Sequence, residues 1–185
     1  QYTIPHIGNV YLRGITWFLY SVYLSLPYTG VWVLAHECGH QAFSDYGWVN
    51  DTVGWVLHSY LLVPYFSWKY THGKHHKATG HLTRDMVFVP PTKEQYLSSH
   101  HAVTLKEISA DAPIVTLKDL VFQQFGGWIW HLLTNVTGQP FEELEGSFFK
   151  QFYASHFNPS APIFEKRDYW FIILSDIGLL TQFYV

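Results

Sequence analysis

Residues 15–35 carry no charge over 21 positions and lead without interruption into His36. A helix needs about 20 predominantly apolar residues to cross the hydrocarbon core of a bilayer. A stretch of that length limits the chain to a few ways of folding, and residues 14–35 are read as a membrane segment. Pro27 interrupts it, so a kinked span or a re-entrant hairpin is expected, because proline lacks the N–H that a helix interior uses.

The rest of the composition agrees with a lipid border. Charged residues are 14% of the chain and aromatic residues 19%, with 8 Trp, 13 Tyr and 14 Phe. Ordinary soluble domains carry about 25% charged residues, and Trp and Tyr gather where a bilayer meets water. At 185 residues the chain suits one domain with a sizeable core. The net charge of −3, with no long basic run, argues against nucleic acid as a partner. Cys38 is the single cysteine, so an intramolecular disulfide and a Cys-based zinc site are excluded. A small buried side chain is its expected role. Gln1 is not an initiator Met and no charged n-region follows, so no signal peptide is read. The last apolar run reaches Val185 without a cap or polar tail, and an internal piece of a longer protein is expected.

The expected fold is mainly α, an integral-membrane helical fold with a cytosolic, histidine-rich helical cap, formed as a single domain over 1–185. Residues 36–44 hold the first histidine cluster. Residues 52–68 form a second uncharged stretch with Pro64 near its end, expected as a short span or a half-inserted helix. Residues 69–107 contain the second cluster and six basic residues from Lys69 to Lys106. The bias of Lys and Arg toward cytoplasmic loops places them on the cytosolic side. Pro90-Pro91 and Ser98-Ser99-His100-His101 read as linker. Residues 120–141 are uncharged but diluted by Gln123, Gln124, Gly126, Gly127 and Asn135, which suits an interfacial helix. Glu142–Gly146 is read as solvated loop, Asn158–Pro162 as a turn, and residues 169–185 as the start of a further membrane segment.

His36-Glu37-Cys38-Gly39-His40 can be read alone as an H-E-x-x-H string, in which two helical histidines bind one zinc and the glutamate is the hydrolytic base. Thr71-His72-Gly73-Lys74-His75-His76 changes that reading. Residues at i, i+3 and i+4 share a helix face, so His36 pairs with His40, and His72 with His75 and His76. Five imidazoles exceed what one zinc takes, while two metals need around eight protein ligands. The chain is then about three ligands short. Imidazole also suits Fe, Cu and Ni; the lipid setting and lack of thiolates favour iron with dioxygen.

The other polar residues are weighed singly. His156, ahead of the Asn158–Pro162 turn, is a candidate metal or outer ligand. His81 suits a surface loop, and His58 and His131 suit hydrogen-bonded core or interface positions. His6, His100 and His101 carry no signal. Glu37 and Asp85 are candidates for orienting a ligand imidazole through its second ring nitrogen. Asp45 and Asp85 could equally cap helices or pair with Lys77 and Arg84. The sequons at Asn50 and Asn135 are expected to be unused on a cytosolic face.

Beyond the clusters, His58-Ser-Tyr-Leu-Leu-Val-Pro-Tyr-Phe-Ser-Trp-Lys69, Arg84-Asp-Met-Val-Phe-Val-Pro90, Asn135-Val-Thr-Gly-Gln-Pro140, His156-Phe-Asn-Pro-Ser-Ala-Pro-Ile163 and Leu174-Ser-Asp-Ile-Gly178 complete a pattern. It resembles the membrane-bound fatty acid desaturases, closest to the microsomal acyl-lipid Δ12 (omega-6, oleate) group. That resemblance implies a di-iron centre held by three histidine boxes, with O2 as co-substrate. His36 and His40 match the first box, and His72, His75 and His76 the second; the third is absent from these 185 residues. It also implies an oleoyl phospholipid as substrate, cytochrome b5 and NADH-cytochrome b5 reductase as electron donors, and a multi-pass endoplasmic reticulum protein with its boxes facing the cytosol.

Desaturation of oleate to linoleate is the expected activity, with residues 1–185 inactive alone for want of ligands. The alternatives within the family are an omega-3 desaturase and an acyl hydroxylase or epoxygenase. An intramembrane zinc protease built on His36, Glu37 and His40 is the rival from another class, and a catalytically idle membrane scaffold is a third.

Overall fold

The computed structural model describes residues 2–90, 92, 94, 113–141, 144 and 148–184. Among them the regular structure is helical, with no strand. Two compact units are present: residues 1–65 with 178–185, and residues 66–177. His100, His101, Lys93, Lys106 and most of the loop at 142–146 lie outside the described residues.

The first unit is built on α1, Val10–Gly39. Asn9 starts it: its side-chain oxygen accepts from the N–H groups of Tyr11 and Leu12 at 3.0 and 3.1 Å, which satisfies two orphan donors of the first turn. The helix continues without interruption through Pro27, so a re-entrant hairpin does not form there. Along its apolar length the hydroxyls of Thr16, Ser21, Ser25 and Thr29 donate back to carbonyls three or four residues earlier. Each hydroxyl thereby finds a partner within the helix. Leu19, Tyr23 and Leu26 are each more than half exposed. A core helix of a soluble protein would bury them. Among the described residues α1 is the one helix long and apolar enough to cross a membrane.

α2, Gly47–Tyr60, packs on α1. The connector between them is held by Asn50, whose side chain accepts from the N–H groups of Phe43 and Ser44 and donates to the carbonyl of Ser44. Asn50 is buried, so the first sequon is inaccessible. Gly54 is where the side chain of Tyr65 meets α2, with no room for a Cβ.

The uncharged stretch 52–68 is not one helix. α2 stops at Tyr60, Leu62 adopts a left-handed φ of 58°, and α3, Tyr65–Ala78, starts after Pro64. Proline disfavours helical backbone in the residue before it, so an uncharged run of spanning length became two helices of 14 residues. Each is about 21 Å long, too short for a hydrocarbon core of about 30 Å.

In the second unit, α3 begins with the N–H of Phe66 donating to Ser175 Oγ at 2.8 Å. The expected helix at 120–141 is shifted. α4, Pro113–Phe122, passes through a single π-turn, Gln123–Gly127, into α5, Trp128–Thr134. Lys118 and Asp119 lie within α4 as an ion pair, so absence of charge did not mark its start. Asn135, left-handed at φ 51°, ends α5. Asn135 is itself buried, which closes the second sequon. α6, Tyr169–Tyr184, fills the expected last apolar segment. Its end belongs to the first unit, where Gly178 sits against Trp55 and Ser59.

Candidate metal centre

The first box ends α1. One turn separates His36 from His40, and their Nε2 atoms lie 3.2 Å apart. The Nδ1–H of His36 donates to Glu37 Oε1 at 2.9 Å, so the lone pair on Nε2 faces away from the carboxylate. Trp32, one turn before, stacks on the His36 ring with centroids 5.4 Å apart.

The second box repeats this arrangement on α3. His72 and His76 bring Nε2 atoms within 3.0 Å, and Trp68 stacks on His72 at 4.5 Å. His75 donates from Nδ1–H to Asp85 Oδ1 at 2.7 Å. Both boxes thus read W-x3-H-x3-H, at 32/36/40 and 68/72/76, and in each an imidazole Nδ1 is held by a carboxylate. The aromatic member of the pattern is visible as plain spacing in the sequence, yet composition hid it among 8 Trp.

Asp85 is fully buried. It accepts from His75 and from the backbone N–H groups of Gly80, Val87 and Phe88. Burial alone would raise its pKa; the His75 bond and the three N–H donors outweigh it and bring the group down to about 2. Asp85 is therefore a fixed negative charge behind His75, and the alternative pairings with Lys77 or Arg84 are not formed among the described residues. Asp45 is exposed in the connector before α2.

These nitrogens fit metal coordination. Two nitrogens at about 2.1 Å from one ion stand about 3.0 Å apart at a right angle and about 3.4 Å apart at the tetrahedral angle. The separations of 3.2 and 3.0 Å fall in that range. Carboxylates on Nδ1 set the tautomer that leaves Nε2 free to bind a cation. Glu37 is turned to the back of the His36 ring, away from where it would need to be to act as base on a metal-bound water.

The remaining histidines separate cleanly. His58 is buried between the rings of Trp32 and Tyr65, at 5.7 Å from each. His81 receives the N–H of Thr83 in the loop after α3. His131 is buried and donates from Nδ1 to Thr137 Oγ1 at 2.8 Å. His156 is placed beside His131, ring centroids 5.0 Å apart, and its buried Nδ1 has no partner among the described residues.

Burial lowers the pKa of His131, and burial followed by the nearby His131 pushes His156 down to about 3. A histidine depressed in the folded state stabilises the fold fully above its unfolded value of about 6.5 and loses that contribution as pH falls. One pH unit below that value the loss for His156 is on the order of 1.4 kcal/mol. The thermal midpoint is expected to drop between pH 7.5 and 5.5, and His156→Phe is expected to flatten that drop. An unchanged pH response in the variant would show that His156 does not set it.

Comparison with known proteins agrees with these motifs. The family model described as Fatty acid desaturase matches residues 15–183. The chain is 45% identical over 187 residues to a Delta(12) fatty acid desaturase of Mortierella isabellina, covering 96% of this chain and 44% of that protein. It is 45% identical over 186 residues to an oleate hydroxylase of Claviceps purpurea, covering 96% and 39%. A Brassica juncea protein named Omega-6 fatty acid desaturase, endoplasmic reticulum, is 43% identical over 179 residues, covering 94% and 41%. The chain spans about two fifths of the length of these relatives. No solved structure matches it. With both histidine boxes in place and the family model matched along nearly the whole chain, the chain belongs to the fatty acid desaturase family.

Proposed function

We propose that this chain supplies two of the histidine boxes of an acyl-lipid desaturase that converts oleate to linoleate in an oleoyl phospholipid. The observation that carries the reading is the repeated half-site: paired Nε2 atoms at bonding separation, with a carboxylate on an Nδ1 in each box. His36, His40, His72, His75 and His76 are the proposed ligands of two iron ions, with the remaining ligands outside these residues. Glu37 and Asp85 orient His36 and His75. His156 is not needed in this set: its pairing with His131 supports a core role instead.

Bound iron would supply the reduction of O2 to two waters, with two electrons from a donor, two protons from water and two hydrogens from adjacent methylene carbons. The chain's own contribution is positional. Trp32 and Trp68 hold the ring planes of His36 and His72, and Asp85 holds His75. A groove lined by Ser25, Tyr28, Thr29, Trp32 and Leu61 reaches Trp32, and an acyl chain there would run toward His36. Holding the chain still against the site converts an encounter into an oriented reaction.

Further spans beyond α1, residence in the endoplasmic reticulum with the boxes toward the cytosol, and electron delivery from cytochrome b5 and its NADH-dependent reductase belong to the same proposal. The relative named as an endoplasmic reticulum desaturase supports the location. A second reading, oleate hydroxylation, is favoured by one observation, the 45% identity to the Claviceps purpurea protein.

Expression of the whole protein in a host supplied with oleate, followed by gas chromatography, separates the two. Linoleate is the expected product; ricinoleate would favour hydroxylation, and neither product would refute the proposal. Residues 1–185 alone are expected to give no product, and desaturation by that piece would overturn the ligand count.

A further inference from the structure

The loop after α3 that brings Asp85 to His75 is also held from behind by a distant part of the second unit. Residues 82–89 run beside residues 135–139. The N–H of Val89 donates to the carbonyl of Thr137 at 2.8 Å, Gln139 Nε2 donates to the carbonyl of Leu82 at 3.0 Å, and Thr137 Oγ1 donates to the carbonyl of Val87 at 2.7 Å. Gly138 lies so close to the Met86 carbonyl that no Cβ fits.

The Thr137 hydroxyl joins two networks. Its single proton goes to Val87, so it accepts from the Nδ1–H of buried His131 at 2.8 Å. The peptide unit that begins at the Val87 carbonyl carries the Phe88 N–H, which donates to Asp85 Oδ1 at 3.2 Å, and that same oxygen accepts from His75 at 2.7 Å. A continuous path therefore runs from His131 through Thr137, the Val87–Phe88 peptide and Asp85 to the ligand imidazole. Linked hydrogen bonds of this kind polarise and orient one another. A peptide plane held at its carbonyl by Thr137 cannot tip its N–H away from Asp85.

We propose that Thr137 is a positioning residue for the second histidine box, acting through the Val87–Phe88 peptide and Asp85 on His75. This rests on the reading of His75 as an iron ligand. Loss of a direct partner of a ligand costs about 10–100-fold in metal affinity, and Thr137 stands two links beyond that partner, so a smaller effect of about 3–10-fold is expected.

The test uses the purified whole protein loaded with iron, and reads the half-time of iron release to a chelator beside the thermal midpoint. Thr137→Val, which keeps the shape and removes the hydroxyl, is expected to shorten the half-time about 3–10-fold. Thr137→Ser, which restores the hydroxyl, is expected to return it to the wild-type value. Asp85→Asn shortens the half-time further, and adding Thr137→Val to Asp85→Asn is expected to change nothing more, because the path is already cut. Wild-type release from Thr137→Val, no rescue by Ser, or a full additional loss in the double variant would each overturn the inference. If Asp85→Asn itself releases iron as the wild type does, the reading of His75 as a carboxylate-oriented ligand fails first, and the inference falls with it.

Discussion

On the proposed reading of His75 as an iron ligand of an oleate desaturase, alanine at His75 is expected to leave the whole protein with less than about one-hundredth of its linoleate output and with lowered iron content. The magnitude follows from two losses at one position. A ligand nitrogen disappears, and removal of a mere partner of a ligand already costs about 10–100-fold. Asp85 also loses the donor 2.7 Å away while remaining fully buried with its charge. Its three backbone N–H partners remain, so the loop has reason to stay folded and the variant isolates the metal site. Asp85→Asn is the companion: it keeps the shape but weakens the hold on the His75 tautomer, and an intermediate loss is expected. Product by gas chromatography and iron per protein are the readouts. Normal linoleate from His75→Ala would remove His75 from the proposed ligands.

A second large effect is expected far from the chemistry, at Gly54. In a helix interior Gly→Ala ordinarily stabilises by about 1 kcal/mol. Here a Cβ would strike the ring of Tyr65, which is fully buried. That ring cannot swing aside cheaply, since its hydroxyl donates to Asp51 Oδ1 at 3.1 Å and its face is packed against His58. Overpacking of a tight core costs about 1–3 kcal/mol, and with so little room the upper end is expected to outweigh helix propensity. A net loss of about 2 kcal/mol would lower the thermal midpoint by about 4–8 °C for a domain of this size. Tyr65→Leu in the same protein should recover much of the alanine penalty. A raised midpoint for Gly54→Ala would mean that propensity, and not packing, governs α2.

The histidine half-sites were the most legible part of this chain because they depend on nothing beyond one helix turn. His36 with His40, and His72 with His76, meet wherever those residues are helical. α1 was legible by its length and lack of charge, and of the two outcomes expected from Pro27 the re-entrant hairpin does not form, since the helix runs on through it. The stretch at 52–68 misled for the opposite reason: absence of charge says nothing of a backbone reversal, and Leu62 carries no residue-type signal for its left-handed φ. At 120–141 charge misled again, since Lys118 and Asp119 satisfy each other within α4. Asp85 was visible as a candidate but not as a fact, because its place under His75 is set by the turn of residues 80–88, which residues 137 and 139 hold from some fifty positions away. Thr137 could not have been found from spacing. Contacts of that separation are set by the packed unit, and one sequence does not print them.

The repeated tryptophan ahead of each histidine pair bears on how the protein comes together during synthesis. Trp32, His36 and His40 lie on one face of one helix, as do Trp68, His72 and His76. Each trio can take its final arrangement as soon as its own helix forms, on the sub-microsecond to microsecond scale of helix growth. The contacts that brace the Val87–Phe88 peptide from behind must wait for residue 137 to be made, which at about 5–20 residues per second is several seconds later. The nascent chain would thus carry two finished imidazole pairs well before the brace behind His75 exists. The order of maturation is written into where these residues fall along the chain.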